Sequence, residues 1–129
     1  MPSITFRSQF EVHIAKQLVA MGAKFSYESR RIKYLRPAMP TGYTPDFILS
    51  NGIIIETKGL FSAKDRKKHL AVREQHPNLD IRFVFQRAAN RLSKKSKTTY
   101  ADWCEKNKFL WSNGNIPLEW VCSERQKTK

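Results

Sequence analysis

Apolar residues at four-residue spacing, Phe10, Ile14 and Leu18, predict a helix over residues 8–21, with Gly22 available to stop it. The pattern then changes to short runs of strand character at 24–29 and 32–35. Pro37, Pro40, Gly42 and Pro45 follow closely, a stretch that excludes regular helix and central strand and predicts a connector. Residues 47–49 and 53–57 are apolar and β-branched on either side of Asn51-Gly52, which predicts a hairpin. Three isoleucines in succession, Ile53 to Ile55, suit a strand covered on both faces, hence a central strand with helices packed on the sheet. A second helix is predicted at 62–75, capped by Ser62 with Asp65 three residues on and ended by His76-Pro77. Beyond it lie a strand at 81–85, a lysine-rich loop at 88–98 able to order on a polyanion, and a helix at 99–106 with Tyr100, Trp103 and Cys104 as its apolar stripe. A short element begins at Pro117. The order helix, strands, helix, strand, helix predicts an α/β fold with a mixed sheet.

At 129 residues the chain predicts one domain, 1–122, followed by a basic tail at 123–129. Hydrophobic residues at 40% and aromatics at 12% support a packed core and exclude a disordered polycation. No apolar run approaches the roughly 20 residues that span a bilayer, so a soluble intracellular protein without a membrane partner is expected. Cys104 and Cys122 form neither a disulfide framework nor a metal-ligand spacing and read as reduced, structural residues.

Charge changes the picture most. Against 24 Lys and Arg stand only 11 Asp and Glu, a formal charge of +13. The basic residues recur along the chain in three clusters: Arg30, Arg31, Lys33 and Arg36; Lys64, Arg66, Lys67 and Lys68; Arg87, Arg91, Lys94, Lys95 and Lys97. One such cluster reads as a solvated face, but three together favour a surface that follows phosphates, because neutralising phosphates releases condensed counterions. Charge does not separate a nuclease from a non-catalytic nucleic-acid binder, and that choice falls to the few acids.

A carboxylate inside an apolar strand needs a partner, since burying an unpaired charge is costly. Asp46 follows Pro45 at the start of one hairpin strand, and Glu56 stands near the end of the other, two residues before Lys58. Strand side chains alternate with period two, so Glu56 and Lys58 point into one space. Register decides whether Asp46 joins them. A two-residue Asn51-Gly52 turn sets Asp46 opposite Thr57, on the wrong face; a three-residue Ser50-Asn51-Gly52 loop with Gly52 left-handed sets it opposite Glu56. The second register is the one expected. Two adjacent carboxylates ask for a divalent cation, and hard oxygen ligands, with the Thr57 carbonyl as one more, suit Mg²⁺ or Mn²⁺. Lys58 would then orient the attacking water or offset charge on a phosphate. The competing reading is a surface Glu56–Lys58 salt bridge with Asp46 as a turn residue. Ser8 and Glu11 form a capping-box pattern, which on spacing alone gives Glu11 a structural role. His13, His69 and His76 lack partners at ligand spacing and read as surface or core residues.

Pro45-Asp46 followed by Glu56-Thr57-Lys58, with an acid on a preceding helix, resembles the PD-(D/E)xK nuclease superfamily. The stretches FRSQFE, YTPDF, NGIIIETKGL, DRKKHL, REQHPNLDIRFVF and CEK resemble the phage endonuclease I family, Holliday-junction-resolving enzymes of the T-odd coliphages. The resemblance runs from about Phe6 to Val121. It implies a restriction-endonuclease-like mixed sheet flanked by helices, with catalytic carboxylates at Glu11, Asp46 and Glu56 and a catalytic lysine at Lys58. It implies two Mg²⁺ ions per site, Mn²⁺ substituting, and Glu11 as a further metal ligand. The implied substrate is branched DNA, above all four-way junctions, in the cytoplasm of a phage-infected bacterium. Arg36, Lys64, Arg66, Lys67, Lys68, Lys94, Lys95 and Lys97 are the expected phosphate contacts. An intertwined, domain-swapped homodimer is implied too, with residues 36–44 as the connector, and each site taking Glu11 from one chain and Asp46, Glu56 and Lys58 from the other. The rivals are a non-catalytic basic nucleic-acid-binding protein and a sequence-specific restriction-type nuclease on the same fold.

Overall fold

The first apolar stripe forms helix α1 (Gln9–Ala20), whose N-cap, Ser8, accepts a hydrogen bond from the Glu11 N–H through its hydroxyl. Gly22, at φ +71°, takes the left-handed turn just beyond the helix. The computed structural model describes residues 6–35 and 40–122 of the chain. Along it follow β1 (Phe25–Tyr27), β2 (Ile32–Leu35), β3 (Pro40–Tyr43), β4 (Phe47–Leu49), β5 (Ile54–Lys58), α2 (Ala63–Gln75), β6 (Ile81–Phe85), α3 (Tyr100–Asn107), β7 (Trp111–Asn113) and α4 (Leu118–Cys122).

The main sheet has the order β1-β4-β5-β6-β7, with β5 at its centre. The β1–β4 and β4–β5 pairs are antiparallel, and the β5–β6 and β6–β7 pairs parallel, so the sheet is mixed as expected. Ile53 and Ile55 pack on one face with Ile14 and Leu18 of α1 and Trp120 of α4. Ile54 packs on the other with Phe61, Val72 of α2, and Tyr100, Trp103 and Cys104 of α3. The isoleucine run is therefore covered on both sides. Burying an aliphatic side chain of this size contributes on the order of 1.5–3 kcal/mol, which makes this central strand a rigid base for whatever stands at its end.

The hairpin adopts the three-residue loop. Gly52 is left-handed at φ +90°, the Leu49 N–H donates to the Ile53 carbonyl at 2.8 Å, and Phe47 pairs with Ile55. One step further along this register Asp46 stands opposite Glu56.

Within the expected connector, Pro40–Tyr43 pairs antiparallel with β2 of the same chain, Ile32 opposite Tyr43, in a separate two-stranded sheet. A proline lacking an N–H is tolerated there because a two-stranded ribbon has only edges. Arg36, the other residues of 36–39, and the tail at 123–129 lie outside the described residues.

Three further differences are local. Strand β7 was not expected, and it pairs Trp111–Asn113 with Phe83–Phe85 on the far edge. The 88–98 loop is closed without any polyanion, by the Arg91–Thr99 bridge and the Leu92 N–H bond to Thr98. Cys104 is buried and free, but Cys122 is exposed and so is not a core residue. Among the described residues no helix is long and apolar enough to cross a membrane.

Candidate active site

Strand alternation puts Glu56 and Lys58 on the α2 side of the sheet, at the end of β5, and the hairpin register sets Asp46 opposite Glu56, with its carboxylate turned toward Thr57 and Glu11. The Asp46 N–H donates to Glu56 Oε2 at 2.8 Å, which ties the two strand ends together at their acids. Asp46 Oδ2 accepts from both the N–H and the hydroxyl of Thr57, at 2.9 and 3.0 Å, so this carboxylate is fixed in place.

Glu11 arrives from the first turn of α1, in the opposite layer, and is 4% exposed. Its Oε1 accepts from the Arg7 N–H at 2.8 Å and from the Tyr27 hydroxyl at 3.0 Å. Only half of the capping box thus forms: Ser8 caps the Glu11 N–H, while the Glu11 carboxylate passes over Ser8 to Arg7 and faces Asp46. Carboxylate oxygens of Glu11, Glu28 and Asp46 all lie within 4.8 Å of one another. Glu28 was not anticipated. It sits in the left-handed region at φ +47°, and its N–H donates to the Asp46 carbonyl at 3.0 Å. Its Oε2 meets Arg7 Nε at 2.9 Å.

Glu56 lies deeper than its neighbours, 2% exposed. Behind it stands His69 of α2, wholly buried, with Nε2 at 3.4 Å from Glu56 Oε1. Lys58 Nζ is 3.8 Å from Asp65 Oδ1, and Lys68 Nζ is 3.7 Å from the same oxygen. A shallow cavity of about 230 Å³ is lined by Arg7, Ser8, Glu11, Asp46, Thr57, Lys58, Gly59 and Leu60. Glu11, Asp46 and Lys58 therefore share one open space, while Glu56 is not part of its lining and reaches it only through its bond to the Asp46 N–H.

The electrostatics follow from crowding acids into a half-dry corner. Burial, then the charge of Glu56, pushes Asp46 up from 3.8 to about 7. Burial and Asp46 raise Glu11 as well. Burial raises Glu56, against which Lys58 is the largest opposing influence. Burial, with Lys58 and Lys68 nearby, holds His69 well below its ordinary value, so the imidazole is neutral. Burial alone would raise Asp65, but the two lysine ammonium groups outweigh it and bring it down. Repelling carboxylates with hard oxygens and a flanking ammonium group form a donor set that fits a divalent cation such as Mg²⁺.

The sequence model of the phage endonuclease I family matches residues 2–129, essentially the whole chain. The chain belongs to the phage endonuclease I family. It is 50% identical over 116 residues to the protein named endonuclease I of Escherichia phage T7, covering 90% of this chain and 78% of that protein. It is 53% identical over 116 residues to the endodeoxyribonuclease 1 of Enterobacteria phage T3, covering 90% of this chain and 76% of the relative.

In this family member the expected phosphate contacts divide into two kinds. Lys64, Lys67, Lys94, Lys95 and Lys97 are exposed. Arg66 instead donates from Nη1 to the Phe61 carbonyl at 2.7 Å, and Lys68 is drawn to Asp65 and toward the ring of Tyr43, 5.8 Å from its centroid. These two brace the loop and helix around the site. Of the histidines, His13 is exposed and His76 bonds the Lys33 carbonyl, whereas His69 belongs to the site. The signal for His69 was its spacing: Asp65 and His69 are four apart and share one face of α2, and that face meets Lys58 and Glu56. Glu28 had no comparable signal, because the positive φ that aims it is not written in its own residue type.

Proposed function

We propose that this chain is a structure-selective DNA endonuclease that hydrolyses phosphodiesters in four-way junctions and other branched DNA, with Mg²⁺ as cofactor and Mn²⁺ able to substitute. Membership of a family whose relatives are named endonuclease I and endodeoxyribonuclease 1 makes it a DNA endonuclease. The observation that carries the chemistry is the hairpin register, which joins Asp46 to Glu56 through the 2.8 Å bond beside a cavity that Asp46 shares with Lys58 and with Glu11 from α1. This supports a restriction-endonuclease-like, PD-(D/E)xK reading of the fold.

Asp46, Glu56 and the Thr57 carbonyl would hold one Mg²⁺, and Glu11 with Asp46 a second. When bound, such ions polarise a phosphoryl oxygen and lower the pKa of bound water. The chain's own contributions are distinct. Thr57 fixes the Asp46 carboxylate, so its ligand direction is set before DNA arrives. Lys58, held toward the cavity by Asp65, orients the attacking water and offsets charge gathering on the phosphate. Exposed Lys64, Lys67, Lys94, Lys95 and Lys97 engage the backbone, which carries position and shape rather than sequence.

The functional unit is an intertwined homodimer. Because Glu11 already lies beside Asp46 within one chain, the intertwined form is an exchange of identical α1-to-β2 segments between two copies, with residues 36–44 as the connector. Two sites related by a two-fold axis then match the symmetry of a four-way junction. A labelled junction offered beside a linear duplex of matched sequence tests the reading: cleavage of the junction alone supports it. Equal cleavage of both points to a sequence-reading nuclease, and binding without cleavage to a non-catalytic module.

A further inference from the structure

Four buried side-chain polar atoms have no hydrogen bond among the described residues: Glu28 Oε2, which has Arg7 as its ion-pair partner, and three on the α2 side near Glu56, both ring nitrogens of His69 and the Tyr43 hydroxyl. Such atoms are costly when unsatisfied, so natural cores rarely keep them without use. His69 is 0% exposed and is held edge-on by two rings, Tyr43 at 5.3 Å and Phe83 at 4.9 Å between centroids. The imidazole is thus clamped by two aromatic rings and has Glu56 beside it, with Nε2 at 3.4 Å from Glu56 Oε1. Tyr43, 2% exposed, stands edge-on to His69 with its hydroxyl buried and without a hydrogen bond. The other Glu56 oxygen, Oε2, accepts the Asp46 N–H.

We propose that His69, assisted by Tyr43, is a positioning residue that holds the Glu56 carboxylate in the orientation from which it ligates a divalent cation beside Asp46. A leucine or phenylalanine would fill the same space in α2 without an unsatisfied nitrogen. What the imidazole adds is a polar ring nitrogen within 3.4 Å of a proposed metal ligand, near enough to donate to it after a small rotation. Outer partners of this kind set a ligand's direction, and their loss lowers metal affinity by about 10- to 100-fold. The inference rests on the metal-site reading given above and assigns a new role within it.

Calorimetric titration of the full chain with Mn²⁺ alone, without DNA, tests it, with melting curves in EDTA recorded for every variant. Wild type is expected to bind, and Glu56→Gln to bind far more weakly. His69→Leu is expected to melt near wild type in EDTA yet lose about 10-fold or more in Mn²⁺ affinity, and His69→Gln, which restores an N–H at similar reach, to recover most of it. Tyr43→Phe removes one oxygen and no volume, so it keeps the fold, and it is expected to weaken Mn²⁺ several-fold. That variant decides the matter if His69→Leu does not fold. Unchanged Mn²⁺ affinity in the folded variants, with Glu56→Gln still defective, would overturn the role of His69 and Tyr43 and leave the metal site standing. A wild type that does not bind Mn²⁺, or a Glu56→Gln variant that binds normally, would overturn the metal site and this inference with it.

Discussion

At the scale of single residues, the acids are arranged at a cost to the metal-free protein. Asp46 has its carboxyl raised from 3.8 to about 7 by burial and by Glu56, so folding favours its protonated form. The stability this contributes is full below pH 3.8 and is lost as pH rises through about 7. Glu11 and Glu56 are shifted in the same direction. Thermal melts in EDTA are therefore expected to fall from mildly acidic to mildly alkaline pH, and Mn²⁺ added at the alkaline end to restore what was lost. Asp46→Asn should flatten the pH dependence, and an unchanged slope in that variant would remove Asp46 as its source. Asp46, Glu56 and Lys58 were legible in the sequence because a strand alternates and because acids are scarce in this chain. Glu28 was not, since it reaches the cluster only through its own positive φ and through long-range pairing of β1 with β4. His69 was half legible, its helix face being predictable but not the depth at which Glu56 is buried.

Among elements, the β4–β5 hairpin matters most, because one residue of slippage turns Asp46 away from Glu56. Gly52 supports the three-residue loop at φ +90°, where a side chain is strained by roughly 1–2 kcal/mol. Gly52→Val should lower stability in chemical denaturation by at least that amount and reduce cleavage more steeply than a surface change of equal stability cost, since the register itself is loosened. Activity that tracks stability alone would argue against a link between the turn and the site. The lysine-rich loop at 88–98 makes a different contribution. Joint replacement of Lys94, Lys95 and Lys97 by alanine should weaken junction binding and lower the salt slope by up to about 0.9 per lost phosphate contact. An unchanged slope would take that loop off the DNA surface. Helices and long strands were readable from periodicity and caps, as Ser8 and Ser62 show by each capping the helix that follows, whereas Thr99, expected inside its helix, is the cap of Tyr100–Asn107. Strand β7 was not, because three residues ending at a left-handed Gly114 carry no alternation, and its pairing comes from the preformed edge of β6.

For the whole molecule, the proposed function gives the positive field the task of gathering DNA and a small cavity at the end of a doubly covered strand the task of cutting it. The mixed α/β class was legible, but the in-chain pairing of Pro40–Tyr43 with β2 was not, because prolines restrict a strand to an edge without naming its partner. An intertwined dimer makes a sharp prediction from this geometry. Glu11→Ala and Glu56→Gln homodimers should both be inactive, yet a heterodimer of the two should regain one working site, since the exchanged segment brings an intact Glu11 to an intact Glu56. No recovery in a verified heterodimer would mean that each site is built from one chain. The central claim, that the Asp46–Glu56–Lys58 corner hydrolyses branched DNA with a divalent ion, is tested most directly by single-turnover cleavage of a labelled four-way junction in Mg²⁺ and in EDTA. Wild type should nick the junction only with Mg²⁺, and Glu56→Ala and Lys58→Ala should bind it while cleaving about 100-fold or more slowly. Cleavage that persists in EDTA, or that survives both substitutions, would contradict the account.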